Sequence, residues 1–411
     1  MTENTLSTER VILVAADIGE GVDSSSSLDE LEQLADTAGA TTVGRVIQNL
    51  PGFDKATYIG SGKVQELKLM AEELHADGII CDDELSPAQA RNLERILDIK
   101  VMDRTLLILD IFAARASSRE GKIQVELAQL KYRMTRLAGG YSELSRLGGG
   151  IGTRGPGEKK LESDRRLIAK RISRLKGELE EVEHHRQLLH TSRSKKIMPV
   201  CALTGYTNAG KSTLLNTLTG ADVLSEDKLF ATLDPTTRKL ELPDGQTVLI
   251  TDTVGFIRKL PHKLVEAFKS TLEEVLYADV IVHVADASNE QMEVQMQVVY
   301  DTLAQLGVKG TPVMTVFNKM DQAEEGRKPV DRKADEMVYV SAKTGEGLEE
   351  LQKTLVDILN AGLIEITRIY DYKDAGKIQL IRDHGQLLEE KYEADGIHVH
   401  AYVPKEIYGR T

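Results

Sequence analysis

The sequence predicts an α/β protein in four parts: a small N-terminal α/β subdomain (1–103), a helical hairpin (104–196), a second, larger α/β domain (197–363) and a short α+β domain (364–411). Three observations predict it. Apolar, strand-like runs alternate with amphipathic helical stretches in the first and third parts, the signature of a largely parallel sheet flanked by helices. A stripe of apolar residues at alternating spacings of three and four occupies the second. A glycine-bounded turn sits between an apolar run and a helical pattern at 205–212.

In the first part RVILVAADI (10–18) reads as a buried strand, SLDELEQLADTAG as a helix stopped by Gly39, and TTVGRVIQN as a strand of period two. A second round follows with ATYIG, the helix VQELKLMAEELHA, the strand DGIICD, a helix opened by Ser86 as N-cap with Pro87 at its first position, and the strand IKVMD. The turn Gly60-Ser61-Gly62-Lys63 resembles a phosphate loop but lacks the required spacing, so a tight structural turn is expected there.

The second part carries Ile123, Leu127, Leu130, Met134 and Leu137 on one stripe. After a glycine-rich loop (139–160), Leu161, Ile168, Ile172, Leu175, Leu179, Val182 and Leu189 resume the heptad grid, with Arg165 and Arg186 at its skipped positions. Two such helices predict an antiparallel hairpin projecting from the body; the second, about 158–194, would be about 55 Å long at the helical rise. Residues 131–196 hold 17 Lys/Arg against 8 Asp/Glu, a net +9, whereas the whole chain carries −13 and its remainder therefore −22. A basic arm on an acidic protein points to a polyanion, and Arg146, Arg154, Lys159 and Lys160 ride on glycines that allow close backbone approach, so RNA contact is expected there. Tyr141 is the sole aromatic in that loop, which makes base stacking a minor prospect.

The third part opens with Val200–Leu203 feeding Gly205-Tyr206-Thr207-Asn208-Ala209-Gly210-Lys211-Ser212-Thr213. In strand, GxxxxGK[ST], helix order, the glycines let amide N–H groups face phosphate oxygens, Lys211 reaches the β- and γ-phosphates, and Ser212 ligates Mg²⁺. Downstream, Asp252-Thr253-Val254-Gly255 ends an apolar run, placing a carboxylate for the metal's water shell and a glycine amide for the γ-phosphate. Asn318-Lys319-Met320-Asp321 follows another strand, and a carboxylate there accepts both N1–H and N2–H₂ of guanine, a donor pair adenine lacks. Ser341-Ala342-Lys343 supplies a small-residue turn that closes over the base. Together these motifs predict GTP binding.

The last part reads as the strand IEITRIYDY, the helix AGKIQLIRDHGQLLEEKY with an interior Gly385 that leaves its continuity open, and the strand GIHVHAYVP. His398 and His400 share a strand face, a metal-like spacing for which an ordinary sheet face is the simpler expectation. Cys81 and Cys201 fall in separate strands, expected as buried thiols with neither disulfides nor a zinc cluster. No long apolar window and no apolar N-terminal core occurs, so a cytoplasmic protein with no membrane span is expected.

The motifs FATLDPTTR (230–238), DTVGF (252–256) and NKMD, preceded by the loop LGGGIGTRGPGEKKLESDRR, resemble the HflX family of ribosome-associated GTPases, within the Obg-HflX-like P-loop GTPases. The resemblance covers about residues 10–363. It implies an N-terminal α/β subdomain, a helical hairpin and a Ras-like GTPase domain. It also implies binding to the large ribosomal subunit near its catalytic centre, through ribosomal RNA and not DNA, and separation of stalled or idle ribosomes. From the family's FATLD motif it places Phe230, Ala231, Thr232, Leu233 and Asp234 at the nucleotide, with Thr232 as a second Mg²⁺ ligand; Thr236 and Thr237 compete for that role by spacing. Lys211, Thr232, Asp252 and Gly255 would then carry the hydrolysis of GTP to GDP and phosphate. Where Ras-type enzymes carry a water-orienting Gln, this chain has Phe256, so intrinsic turnover should be slow and should depend on an activator such as the ribosome. Asn208 occupies the position at which potassium-dependent relatives coordinate K⁺. A GTPase of ribosome assembly or RNA processing, and a nucleotide-gated RNA-binding module with incidental turnover, remain alternatives. A monomer is expected.

Overall fold

The computed structural model describes residues 8–19, 23–138, 156–193, 198–220, 228–261, 274–324, 326 and 328–411. The chain divides into two compact units. One comprises Met1–Glu181 with Lys228–Phe230 and Lys259–Phe268, the other Val182–Asp227 with Ala231–Arg258 and Lys269–Thr411.

In the first unit β1 (Arg10–Asp17), β2 (Thr41–Asn49), β3 (Gly78–Cys81) and β4 (Lys100–Asp103) form a parallel sheet in the order β2-β1-β3-β4. Helices α1 (Ser24–Thr37), α2 (Ser61–Glu73) and α3 (Pro87–Leu97) connect them. The α1 helix starts earlier than its apolar pattern because the Asp23 carboxylate accepts from the amides of Ser25 and Ser26. At α3 the expected cap is a full capping box: Ser86 accepts from the Gln89 amide, and the Gln89 side chain accepts from the Ser86 amide. Two expectations change here. ATYIG is not a strand but a turn closed by an isolated bridge between Asp54 and Tyr58. Ser61-Gly62-Lys63 is the first turn of α2, so Gly62 is helical, while Gly60 precedes it as an extended N-cap residue.

Helix α4 (Arg104–Arg115) buries Leu107, Ile108, Leu109, Ile111 and Phe112, and it packs on α1 and α5 (Arg119–Ala138). α4 therefore packs against elements on both sides of residue 103. α5 is likewise no free arm: its Tyr132 hydroxyl donates to both oxygens of Asp103 at 2.8 Å, and Arg136 joins the same carboxylate at 2.9 Å. The expected helix pairing holds along part of the stripe, where Ile123, Leu127 and Leu130 of α5 pack with Ile172, Leu175 and Leu179 of α6 (Pro156–Arg193). The long helix begins at Pro156, two residues before its expected start.

In the second unit six strands run in the order β10-β9-β8-β5-β7-β6. They are β5 (Val200–Gly205), β6 (Thr236–Glu241), β7 (Thr247–Asp252), β8 (Val280–Asp286), β9 (Val313–Asn318) and β10 (Glu336–Tyr339), with only β6 antiparallel to its neighbour. Helices α7 (Lys211–Thr219), α8 (Met292–Leu306) and α9 (Leu348–Leu359) accompany the sheet. Leu214, Leu215, Leu351 and Leu355 join the core against the strands on one side, while Val299 and Leu303 join Ala202 and Ile281 on the other.

The C-terminal part is a three-stranded antiparallel sheet, β11 (Leu363–Tyr370), β13 (Gly396–Pro404) and β12 (Gln386–Glu393), in that spatial order. Its core includes Ile378 and Ile381 of α10 (Ala375–His384), and a short α11 (Lys405–Tyr408) ends the chain. The expected helix 375–392 is therefore half helix and half strand. Gly385 marks the change: a Cβ there would lie 2.7 Å from the Tyr402 carbonyl oxygen, so the chain passes against β13 at a place that accepts no side chain. His398 and His400 do share a face, but each is held by a carboxylate, Asp395 at 2.9 Å and Glu365 at 2.7 Å. Both cysteines are buried and free.

Candidate functional site

At the carboxyl end of β5 the chain must turn sharply. Gly205 has φ +152 and a Cβ there would sit 2.2 Å from the Val284 carbonyl oxygen; Gly210 has φ +92 and a Cβ would meet the Asn318 side-chain nitrogen at 2.2 Å. Both positions accept glycine alone, because any larger residue collides with a neighbouring strand or its loop. Asn208 between them also takes a left-handed φ of 62, a conformation Asn tolerates better than most residues. α7 starts directly at Lys211, so its N-terminal amides and dipole face the loop.

Lys211 is 6% exposed. Its ammonium donates to the carbonyls of Tyr206 (2.8 Å) and Gly205 (3.2 Å). Burial pushes its pKa down to about 8, with the Asp252 charge opposing that shift. The Asp252 carboxyl is pushed up by burial, against the pull of Lys211 and Ser212. Ser212 Oγ donates to Asp252 Oδ2 at 2.7 Å and lies 2.8 Å from Thr232 Oγ1. Three hard oxygen donors from β7, α7 and the loop before β6 therefore converge. Of the three candidate threonines, Thr232 is the one whose hydroxyl reaches Ser212; Thr237 bonds Thr251 at 2.9 Å, and Thr236 is the β6 strand partner of Asp252.

The segment after Asp252 is stitched to the phosphate loop. Thr207 N–H donates to the Phe256 carbonyl (2.8 Å), Phe256 N–H to the Gly205 carbonyl (3.0 Å), and Arg258 N–H to the Tyr206 hydroxyl (2.8 Å). Gly255 passes so close that a Cβ would lie 2.8 Å from Thr207 Cα and 3.0 Å from Lys211 Nζ. Thr253 turns inward to donate to the Leu203 carbonyl at 2.7 Å, and Val254 is buried. The Phe256 ring is 1% exposed and packs with Ala202, Ile281 and Val299. Its side chain belongs to the core, which agrees with the expectation that it orients no water. The Tyr206 and Arg258 link had no signal in the sequence, since it depends on two loops meeting across β5 and β7.

At the base side, Asn318 is 2% exposed and acts as a brace. Its Nδ2 donates to the Ala209 carbonyl and its Oδ1 accepts from the Ala342 amide, both at 2.9 Å. One side chain thus ties the phosphate loop to the Ser341-Ala342-Lys343 turn. Ser341 Oγ donates to Asp321 Oδ1 at 2.7 Å and holds the Asp321 pKa below its ordinary value, so an ionised acceptor stands exposed at the surface. Lys319, at φ 62, pairs with Asp286 at 2.8 Å, and the Met320 amide donates to the Val340 carbonyl. Ala231, Leu233 and Asp234 follow in the loop that carries Thr232, with Leu233 buried, whereas Phe230 directs its ring at Phe112 in the first unit. Arg146 and Arg154 lie outside the described residues; Lys159 and Lys160 fall in the first turns of α6, and their side chains are outside the description. No helix among the described residues is long and apolar enough to cross a membrane.

Comparison with known proteins matches this layout. The family described as GTP-binding GTPase N-terminal matches residues 25–113, GTP-binding GTPase Middle Region residues 115–193, and 50S ribosome-binding GTPase residues 200–319. The first match ends within α4. The GTPase HflX of Lacrimispora saccharolytica is 62% identical over 97% of this chain and 95% of its own length. That of Caldanaerobacter subterraneus is 51% identical over 100% and 94%. The solved GDP complex of SsGBP is 25% identical with a TM-score of 0.49, covering 85% of this chain and 98% of that one. With its phosphate loop, converging oxygens and base-side turn, and with near full-length likeness to the two GTPase HflX relatives, the chain belongs to the HflX family of GTPases.

Proposed function

We propose that this GTPase uses GTP to act on the large ribosomal subunit and to separate stalled or idle ribosomes, hydrolysis resetting it for another round. The observation that supports this best is the pairing of a complete nucleotide site with a strongly basic helical segment in an otherwise acidic chain. The match of residues 200–319 to a family described as 50S ribosome-binding GTPase points the same way.

In this reading the 205–212 amides and Lys211 hold the β- and γ-phosphates. Asp321 reads guanine, and Asn318 keeps loop and base turn in register. The Ser212, Thr232 and Asp252 oxygens fit a magnesium ion, a hard cation that takes oxygen ligands and keeps several waters. When bound, that ion neutralises charge developing on the β- and γ-phosphate oxygens. Ser212 and Thr232 would supply ligands to that ion, and Asp252 would orient its bound water. With Phe256 locked in the core, the chain brings no side chain of its own to align the attacking water at that position, so turnover alone is slow and rises on the ribosome. Asn208, on the phosphate loop, is the candidate ligand for a potassium ion that would add positive charge there; equal hydrolysis rates in potassium and sodium buffers would remove that role.

Sucrose-gradient sedimentation tests the whole reading. Intact ribosomes should separate into subunits with GTP and with a non-hydrolysable analogue. Association with immature particles alone would instead support a role in assembly, and hydrolysis unchanged by saturating ribosomes would support an RNA-binding module with incidental turnover.

A further inference from the structure

Nothing in the chemistry of a phosphate loop calls for an aromatic residue at its second position, because backbone amides and the lysine hold the anion. Tyr206 occupies that position and is 4% exposed. Its main chain serves the loop: the carbonyl accepts from Lys211 Nζ at 2.8 Å and from the Ala209 amide at 3.3 Å. Its ring serves another segment, where the hydroxyl accepts from the Arg258 amide at 2.8 Å.

That segment continues from β7 alongside the end of β5, joined to it by a parallel bridge between Tyr206 and Phe256. Phe256 N–H donates to the Gly205 carbonyl, and Thr207 N–H donates to the Phe256 carbonyl. In a ladder that ran on, the Arg258 amide would be due at the Thr207 carbonyl. The loop bends there instead, with Asn208 at φ 62, and the Tyr206 hydroxyl takes the amide. Gly255 lies within the span so held, and a Cβ on it would be 3.0 Å from Lys211 Nζ. A γ-phosphate met by that lysine is therefore within reach of the Gly255 segment.

We propose that Tyr206 is a positioning residue for the γ-phosphate. By accepting from Arg258, its hydroxyl keeps the Gly255 amide where a γ-phosphate meets it, and GDP, which has no such group, binds without this help. The proposal rests on the reading of residues 205–212 and Gly255 as the GTP site. Phenylalanine at 206 would fill the same space and offer no acceptor. Arg258 is 8% exposed, so its amide reaches water only if the segment moves. If the seated arrangement falls to about a tenth to a fifth of the molecules, a ligand that needs it binds about fivefold to tenfold more weakly, and one that does not is unaffected. A change of that size is what one net hydrogen bond supplies.

Isothermal titration of the full-length protein with GDP and with a non-hydrolysable GTP analogue, in magnesium buffer, tests this, with melting temperature recorded in parallel. Tyr206→Phe should weaken the analogue about fivefold to tenfold and leave GDP within about twofold of wild type. Gly255→Ala, whose Cβ must push the segment off Thr207, should show the same selective loss. The double variant should lose no more than Gly255→Ala alone, because the amide is already displaced. Equal losses for both nucleotides in Tyr206→Phe would mean that the residue only shapes the loop, and would overturn the proposal. So would a lowered melting temperature with unchanged analogue affinity, or additive losses in the double variant. Failure of wild type to bind either nucleotide is a different result: it removes the nucleotide-site reading, and the role of Tyr206 with it.

Discussion

The chain contains two sheets built largely from parallel strands with helical crossovers, and only one of them ends in a nucleotide site. In open α/β sheets ligands bind outside the carboxyl ends of the strands, so topology alone would permit a site on both. At the N-terminal sheet the carboxylates of Asp82 and Asp103 are partnered from within the chain. Asp82 holds Arg104 at 2.8 Å together with Ser27 and Lys259, while Asp103 accepts from Tyr132, Arg136 and the Leu85 and Leu106 amides. At the GTPase sheet the principal cation, Lys211, is buried against carbonyl oxygens and not against a paired carboxylate, and the loop around it has glycine-only geometry. A buried ammonium held by neutral acceptors is prepared for an anion, whereas a carboxylate already neutralised by guanidinium and ammonium is prepared for nothing but folding. Topology sets the place, and the balance of charge decides whether it takes a ligand.

Four substitutions or titrations break or sharpen this contrast. Lys211→Ala should lower GTP hydrolysis by about 10³-fold, roughly 4 kcal/mol of lost phosphate stabilisation, with little change in melting temperature; steady-state kinetics and a thermal melt check both halves. Arg104→Ala should do the opposite. It leaves Asp82 and Glu30 without their buried partner and should cost about 3–5 kcal/mol of stability, read by urea denaturation, while the KM for GTP in protein that remains folded stays put.

His283 sharpens the comparison within the GTPase sheet. It is 1% exposed on β8 at 4.0 Å from Asp331, and burial lowers its pKa to about 4. The unfolded chain binds the proton more readily, so the stabilisation is fully present above about pH 6.5 and is lost as pH falls from there through 4, by up to about 3 kcal/mol. Denaturation midpoints measured over that range should fall, and His283→Gln should flatten the profile. The smallest effect should come from Asp321→Asn. One guanine donor loses its charged acceptor, so affinity for GTP falls by about 1.5–3 kcal/mol and preference over ATP narrows; competition binding with both nucleotides measures it, and retained preference would show the base read elsewhere.

Much of this was legible from local sequence. The phosphate loop, the strand-end carboxylate at 252, the base-side motif and the α3 cap all lie at the strand ends and helix start that their spacing indicates, because each motif is a short contiguous run of the chain. The C-terminal helix was over-extended because Gln386–Glu393 has no strong strand pattern of its own; pairing with β13 makes it a strand. The apolar stripe on α5 predicts a projecting hairpin because it marks one face alone. Tyr132 and Arg136, on another face, are drawn to Asp103, about thirty positions away along the chain.

By itself the sequence determined the nucleotide chemistry, since glycines, a lysine and carboxylates at set intervals on successive strands leave little else for those groups to do. Only the tertiary structure decided which threonine of three meets Ser212, where Phe256 directs its ring, and that Phe230 and Lys259 fold with the N-terminal unit. The reason is physical. Spacing along a chain fixes which groups share one loop, but a hydrogen bond or ion pair across loops depends on strand register and helix docking, which are set by burial of apolar residues far from the site.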